Sequence, residues 1–142
     1  MAPGRRLRRH APGVAGTVDG CVDAPVDDAR RIVRAAGEGH LGEAKVDDLT
    51  LAVSEVVANA YRHGRPPVRL RVWVADGRAV VTVADTGPGP QDPFAGLLPA
   101  PSEDSAGYGL WITHQICDHV SLRRTPEGFT ARLTVLQHPS LS

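Results

Sequence analysis

Two polar side chains four residues apart have the types and spacing needed to bind a metal–nucleotide complex. Glu55 and Asn59 share one face of a predicted helix, away from the apolar face that Val53, Val56 and Val57 form. An Asn oxygen can be one ligand of Mg²⁺, which otherwise takes phosphate and water oxygens, and a nearby carboxylate can accept a proton from an attacking hydroxyl. Taken alone, the pair is more typical of a solvated helix face, so it indicates a site only together with other motifs.

A second motif begins with an acid at the end of a predicted strand. Asp85 precedes Thr86, Gly87, Pro88 and Gly89. Its carboxylate can accept a hydrogen bond from the exocyclic amine of adenine, which guanine lacks at that position. The two glycines allow backbone angles that let the chain approach a flat ligand closely. The same residues also make a good surface turn, and the sequence of this motif alone favours neither interpretation.

A third motif, Gly107-Tyr108-Gly109-Leu110, leads into a predicted helix. Backbone amides at a helix start, left uncovered by glycines, can bind phosphate oxygens. The motif has neither the GKS/GKT ending of a Walker A loop nor the GxGxxG of a Rossmann turn, so both of those sites are set aside. In isolation it is more typical of an ordinary glycine-rich helix entry.

The elements that must position these motifs alternate between helical and strand patterns. Asp23 is a plausible N-cap for a helix that ends at Gly37 and Gly39, and Gly64 ends a longer helix. Asp76–Gly77 is a strong hairpin signal. The further predicted elements are the longer helix itself over 43–63, strands over 68–74 and 79–84, a helix from about Gly109, and closing strands over 120–123 and 129–136. The pattern predicts an α+β fold with helices on one face of a mixed, mostly antiparallel sheet.

Composition indicates one compact domain. The chain has 142 residues, of which 42% are hydrophobic, and its 16 basic residues balance 16 acidic ones, so no overall field favours nucleic acid or an anionic membrane. We expect a disordered basic tail over 1–16, the domain over 17–137 and a short tail over 138–142. Two distant cysteines and no apolar signal segment indicate reduced thiols and a cytoplasmic location.

Together and in this order, the three motifs resemble the N, G1 and G2 boxes of the GHKL (Bergerat-fold) ATPase and kinase superfamily. More narrowly, ExxxNAxxHG followed by a compact DxGxGxxD and GxGL resembles the stand-alone anti-sigma-factor serine kinases of bacteria. The resemblance covers residues 21–136. It implies a two-layer α/β sandwich, the Bergerat fold, with ATP and Mg²⁺ as cofactors.

The resemblance also implies roles for particular residues. Glu55 is expected to be the general base that activates a serine hydroxyl, Asn59 to bind Mg²⁺, and Asp85 to bind the adenine amine. The remaining implied nucleotide-binding positions are His63, Gly87, Gly89, Gly107, Tyr108, Gly109, Leu110 and Thr130. Tyr108 departs from the family, which often has a basic residue or Met there, and residues 92–106 contain acids but no Lys or Arg. The sequence therefore predicts weaker ATP binding or slow phosphoryl transfer, with the transfer rate affected more than the binding, because transfer depends on charge stabilisation.

The function that the resemblance implies is that of an anti-sigma factor and Mg–ATP-dependent serine kinase. Such a protein phosphorylates an anti-anti-sigma (STAS-type) partner and sequesters a sigma factor; it is expected to be a homodimer that binds neither nucleic acid nor membrane directly. The alternative is a nucleotide-gated protein-binding module with little or no phosphotransfer. Two further possibilities are a scaffold that binds no nucleotide and a fragment of a histidine kinase, the latter disfavoured because no phospho-accepting helix precedes the motifs.

Overall fold

One antiparallel sheet organises the part of the chain that the structure, a computed structural model, describes: residues 5–10, 17–89 and 112–137. Its strands are β1 (Arg5–His10), β2 (Thr17–Val22), β3 (Arg69–Ala75), β4 (Arg78–Asp85), β5 (His119–Thr125) and β6 (Gly128–Leu136). The strand order is β1-β2-β3-β4-β6-β5. Every pairing between these strands is antiparallel, so the parallel component implied by a mixed sheet is not found in these ranges.

Two long helices cover one face of this sheet. Helix α1 (Val26–Gly37) contacts β2 and β3, and helix α2 (Glu43–His63) contacts β4 and β6. Burial alternates along β4, where every second side chain points into the core beneath the helices. The predicted α+β fold with helices on one face is confirmed. Neither helix, nor any other in the described ranges, is long and apolar enough to span a bilayer.

Helix α2 has the predicted bounds, Glu43 to His63. Its apolar face contributes the fully buried side chains of Leu49 and Val53 to the core. The helix ends at Gly64, whose N–H donates to the carbonyl of Ala60 at 2.9 Å. Glycine and the following prolines prevent a further helical turn, so the end of α2 is fixed in the sequence.

The N-terminal part of the chain differs from the prediction. Residues Arg5–His10, expected to lie in a disordered tail, form β1 and pair with β2 along its whole length. Neither strand was predicted from the sequence. Strand pairing uses backbone groups that every residue carries, so the outer edge of β2 can be covered by a segment without apolar alternation.

Asp23 does not cap α1. Its φ of 54° places it in the left-handed region, and Pro25 occupies the N-cap position without a side-chain hydrogen bond. The Asp23 carboxylate instead accepts the Val68 N–H at 2.7 Å, while the Asp23 N–H donates to the Val68 carbonyl at 2.8 Å. Asp tolerates the left-handed region better than most residues. Asp23 therefore joins the start of α1 to the segment that enters β3.

The second half of the fold follows the predicted order. The β3–β4 hairpin turns at Gly77, whose φ is 78°, and β5 and β6 close the sheet beside β4. Residues 112–116 are helical, whereas the predicted start of that helix near Gly109 lies outside the described residues. The Asp118 carboxylate accepts the Leu136 N–H at 2.7 Å, which fixes the entry into β5 against β6.

Candidate functional site

The Asp85 carboxylate, at the end of β4, is held by backbone groups on both sides. Its side chain is buried, and Oδ1 accepts the Gly87 N–H at 2.6 Å and the Arg65 N–H at 3.3 Å. Within the described residues both hydrogen bonds go to Oδ1. Oδ2 is therefore the oxygen that can accept a hydrogen bond from a ligand.

Two backbone segments, the C-terminal end of α2 and the loop after β4, meet at this carboxylate with no side chain between them. A Cβ placed on Gly64 would lie 2.5 Å from Asp85 Oδ1 and 2.6 Å from the Ala60 carbonyl oxygen. A Cβ placed on Gly87 would lie 2.9 Å from the same Oδ1 and 3.0 Å from the Gly64 Cα. Real Cβ atoms almost never come this close to other atoms. The C-terminal end of α2 and the loop after β4 can therefore reach the Asp85 carboxylate only because positions 64 and 87 are glycines.

Thr86 fixes the loop after β4 to the segment after α2. Its N–H donates to the Arg65 carbonyl at 2.9 Å, and its hydroxyl donates to the Pro66 carbonyl at 2.8 Å. Together with the Arg65 N–H on Asp85, these bonds join the two segments in both directions. The geometry around Asp85 is thus set by backbone contacts and does not depend on long, flexible side chains.

The aromatic ring of Phe129 forms another side of this region. Phe129 pairs with Asp85 in the β4–β6 register, and residues directly opposite in an antiparallel pair share a face of the sheet. Gly89 has a φ of 75°, and a Cβ placed on it would run into the Phe129 ring. Gly89 therefore needs to be glycine both for its backbone conformation and for the approach to this ring.

Thr130, the predicted neighbour of the base, lies on the other face of the sheet. It pairs with Ala84, one residue before Asp85, and successive side chains along a strand point to opposite faces. The structure therefore does not bring Thr130 to the side of the sheet that Asp85 and α2 share. Phe129 occupies the position next to Asp85 instead.

The other predicted site side chains in the described residues, Glu55, Asn59 and His63, lie along α2. Glu55 and Asn59 are both half-buried, and His63 is exposed in the last helical turn. Within the described residues the Glu55 side chain forms no hydrogen bond or ion pair, whereas Asn59 has an interaction partner. The carboxylate of Glu55 is therefore not engaged in a structural ion pair with any described residue.

The spacing along α2 sets the direction in which a ligand must lie. At about 1.5 Å per residue, Asn59 is about 7 Å and Glu55 about 13 Å from Gly64 along the helix axis. A ligand with one end at Asp85 must therefore extend along α2 to reach both side chains. In the described residues no group of three or more His, Cys, Asp or Glu side chains is placed to hold a metal ion. That Asn59 binds Mg²⁺ stays a prediction from the sequence.

The third motif lies outside the described residues, and so do all four of its predicted site residues, Gly107, Tyr108, Gly109 and Leu110. The helical residues 112–116 that follow are described. Thr113 is fully buried, and the Nε2 atom of His114 is buried without a hydrogen-bond partner among the described residues. This burial lowers the pKa of His114.

Sequence reasoning missed the backbone contributions to this site. Gly64 was expected only to end α2, and Arg65 was given no role, yet both contact the Asp85 carboxyl group. Phe129 was missed as well. The sequence carried a signal for it, because the alternation of β6 puts Phe129 on the same face as the buried Ala131 and Leu133.

Comparisons with known proteins identify the family and the fold of this chain. Residues 23–135 match the family described as "Histidine kinase-like ATPase domain". The chain is 32% identical, over 89% of its length, to the signal transduction histidine-protein kinase AfsQ2 of Streptomyces coelicolor, but it spans only 26% of that relative. Among solved structures, it is similar in fold to the histidine kinase domain of the Erythrobacter litoralis blue-light activated histidine kinase. That match has a TM-score of 0.55 and 22% identity, and it covers 80% of this chain and 61% of the other.

Proposed function

Because this chain belongs to the histidine kinase-like ATPase domain family, we propose that it binds Mg–ATP along α2, with the base at Asp85 and the phosphates toward Asn59 and Glu55. The observation that supports this most directly is the Asp85 carboxyl group. Its Oδ1 is fixed by two backbone N–H groups, which leaves Oδ2 to accept a hydrogen bond from the adenine amine. Gly64 and Gly87 support this arrangement indirectly, because they let the end of α2 and the loop after β4 pack directly against the Asp85 carboxylate.

The proposed reaction is transfer of a phosphoryl group to a serine hydroxyl of a protein partner. ATP is the phosphoryl donor, and a bound Mg²⁺ would supply positive charge beside its phosphate oxygens. Glu55 accepts the hydroxyl proton as the serine oxygen bonds to phosphorus and the bond to the ADP oxygen breaks. Glu55 suits this role because no described residue forms an ion pair with it. Asn59 would contribute one oxygen ligand to that metal.

The partner that we propose is an anti-anti-sigma protein of the STAS type, and the free form of this chain would sequester a sigma factor. The support is the order and compactness of the three motifs in the sequence. The relatives named above are histidine kinases, so the chemical nature of the phosphorylated residue is the point to test. Phosphoserine survives acid, whereas phosphohistidine is hydrolysed, and acid treatment of a labelled product separates the two.

Calorimetric titration with ATP, with and without Mg²⁺, tests the binding step. We expect magnesium to strengthen ATP binding to the native chain and to have little effect on the Asn59→Ala variant. Ser54→Ala is the matched control, since Ser54 lies on the same helix and its hydroxyl donates only to the Leu51 carbonyl of that helix. Equal magnesium dependence in all three proteins would contradict the assignment of Asn59.

A phosphorylation assay with purified STAS-type proteins of the same genome tests the transfer step. We expect an acid-stable phosphoprotein with the native chain and none with Glu55→Gln, which removes the proton acceptor but keeps the shape of the side chain. ATP affinity should change little in Glu55→Gln. Undiminished transfer in this variant would exclude Glu55 as the base, and an acid-labile product would indicate a histidine acceptor.

A nucleotide-gated binding module is the second candidate, favoured by the sequence around Tyr108. Residues 92–106 contain acids but no Lys or Arg, and Tyr108 stands between the glycines of the third motif. A cation that could stabilise charge on the moving phosphoryl group is therefore absent from that part of the sequence. ATP-dependent binding of a STAS-type protein with no phosphoprotein after long incubation would favour this candidate over the kinase.

A further inference from the structure

The sheet face opposite the helices carries a cluster of arginines. In the strand register, Arg71 on β3, Thr82 on β4 and Arg132 on β6 are neighbours in one transverse row. Both arginines are exposed, whereas the residues before and after them along the strands point toward the helices. Neighbouring strands lie about 4.8 Å apart, so the two arginines originate about 10 Å from each other on either side of Thr82.

The next row adds two more arginines. Arg69 on β3, Ala84 on β4, Thr130 on β6 and Arg123 on β5 follow one another in register. Arg69 and Arg123 are exposed like the first pair. The four arginines, Arg69, Arg71, Arg123 and Arg132, together define what we call the arginine face.

No carboxylate neutralises the arginine face from within the described residues. None of its four arginines forms an ion pair there, and the alternate positions of β3 to β6 on this side contain no Asp or Glu. The whole chain has equal numbers of acidic and basic residues, so this positive charge is a local feature of one surface. A surface of this kind attracts acidic partners.

A half-buried tryptophan borders the arginine face. Trp73 follows Arg71 on the same side of β3 and pairs with Val80, and the Arg78 guanidinium lies 5.7 Å from the centre of its ring. Trp and Arg are the residues most enriched at the energetically important centres of protein–protein interfaces. Arginines beside a tryptophan and a valine are therefore better suited to a protein than to a phosphate backbone.

Two copies of this chain cannot associate by pairing their arginine faces with each other. Two copies joined in this way would bring four arginines against four, and like charges held together oppose association. We therefore propose that the arginine face binds an acidic segment of a different protein, whose carboxylates pair with Arg71 and Arg132 while an apolar side chain packs on Trp73. This surface lies on the other side of the sheet from Asp85, so the proposal does not depend on nucleotide binding.

Fluorescence anisotropy with a labelled peptide of repeated Glu-Glu-Leu units tests the proposal on the full chain. We expect salt-sensitive binding that weakens about tenfold in the double variant Arg71→Ala and Arg132→Ala, since each exposed charge pair contributes modestly. The matched control is Arg30→Ala with Arg31→Ala, which removes the same charge from the exposed side of α1 and should leave binding unchanged. Thermal unfolding verifies that all variants fold.

Two further measurements identify the surface and the class of ligand. Peptide binding should change the tryptophan emission of the native chain, and this change should be lost in Trp73→Phe. A single-stranded oligonucleotide of equal charge should bind more weakly than the peptide. The proposal is overturned by no peptide binding, by equal weakening in both double variants, or by tighter binding of the oligonucleotide, which would indicate a nucleic-acid surface.

Discussion

Replacing Asp85 with Asn changes one atom at the centre of the proposed nucleotide site. Oδ1 of the asparagine can still accept the N–H groups of Gly87 and Arg65, which bond to Oδ1 in the native chain. These two bonds fix the orientation of the side chain, so the NH₂ group takes the place of Oδ2. An adenine amine that donates to Oδ2 would then face another donor instead of an acceptor.

The size of the effect follows from the kind of bond that is lost. A hydrogen bond to a charged group contributes about 1.5 to 3 kcal/mol of free energy, and leaving a buried polar group without a partner costs a similar amount. Asp85 is only 8% exposed, so water cannot replace the missing acceptor efficiently. We expect the free energy of ATP binding to weaken by about 2 kcal/mol in Asp85→Asn, which corresponds to a roughly 30-fold higher Kd.

Calorimetry with two nucleotides makes this prediction specific to the amine. Purine riboside triphosphate is ATP without the 6-amino group, and it should bind the native chain and Asp85→Asn with nearly equal affinity. The interaction energy from this cycle isolates the contact between one side chain and one ligand group. If Asp85→Asn weakened both nucleotides equally, Asp85 would have a structural role only, and the proposed position of the base would be wrong.

Three further predictions concern the loop after β4 and two buried groups, Cys117 and His114. Gly89→Ala should lower both the Tm and the affinity for ATP, because the added Cβ meets the Phe129 ring. Gly39 is the control: its φ of 84° is similar, but nothing lies within 4 Å of an added Cβ, so Gly39→Ala should reduce stability only by the roughly 1 to 2 kcal/mol that backbone strain costs. Burial raises the pKa of Cys117 to about 12. A thiol reagent at pH 8 should therefore leave Cys117 unmodified in the native chain and modify it in guanidinium. Modification of Cys117 in the native chain would contradict its burial. Burial lowers the pKa of His114, so the unfolded chain binds the proton more readily and stability should fall as the pH drops below about 6.5 toward the folded pKa. His114→Gln should flatten this part of the stability curve, and an unchanged slope would assign the pH dependence to other groups.

The parts of the fold that could be predicted are those whose signal lies in neighbouring residues. Helix α2 was predicted from Glu43 to His63 because apolar residues recur at helical spacing and Gly64 follows directly. The β3–β4 hairpin was predicted because Gly77 favours a positive φ between two alternating strands. The family was also predicted correctly, since short motifs in fixed order survive where overall identity is low.

The parts that could not be predicted depend on contacts between distant segments. Strand β2 carries a glycine, Gly20, on which a Cβ would meet the Leu70 carbonyl of β3; its close approach to β3 explains the glycine but is invisible in the sequence of β2. Strand β1 pairs with β2, and its sequence lacks the apolar alternation that would have predicted a strand. The sequence predicted Thr130 beside the base, whereas the structure places its neighbour Phe129 opposite Asp85. A shift of one residue along a strand moves a side chain to the other face of the sheet.

The alternation of the sheet also separates the two surfaces that we propose to be functional. On β4, Asp85 points toward α2, whereas Ala84 and Thr82 point to the arginine face. A partner on the arginine face and a nucleotide along α2 can therefore bind at the same time without competing for space. Any coupling between them must pass through the sheet itself, most directly through β4, which contributes to both surfaces. If binding of the acidic peptide changed the affinity for ATP, Asp85→Asn would be expected to reduce that coupling, while Arg71→Ala would weaken the peptide without altering ATP binding in its absence.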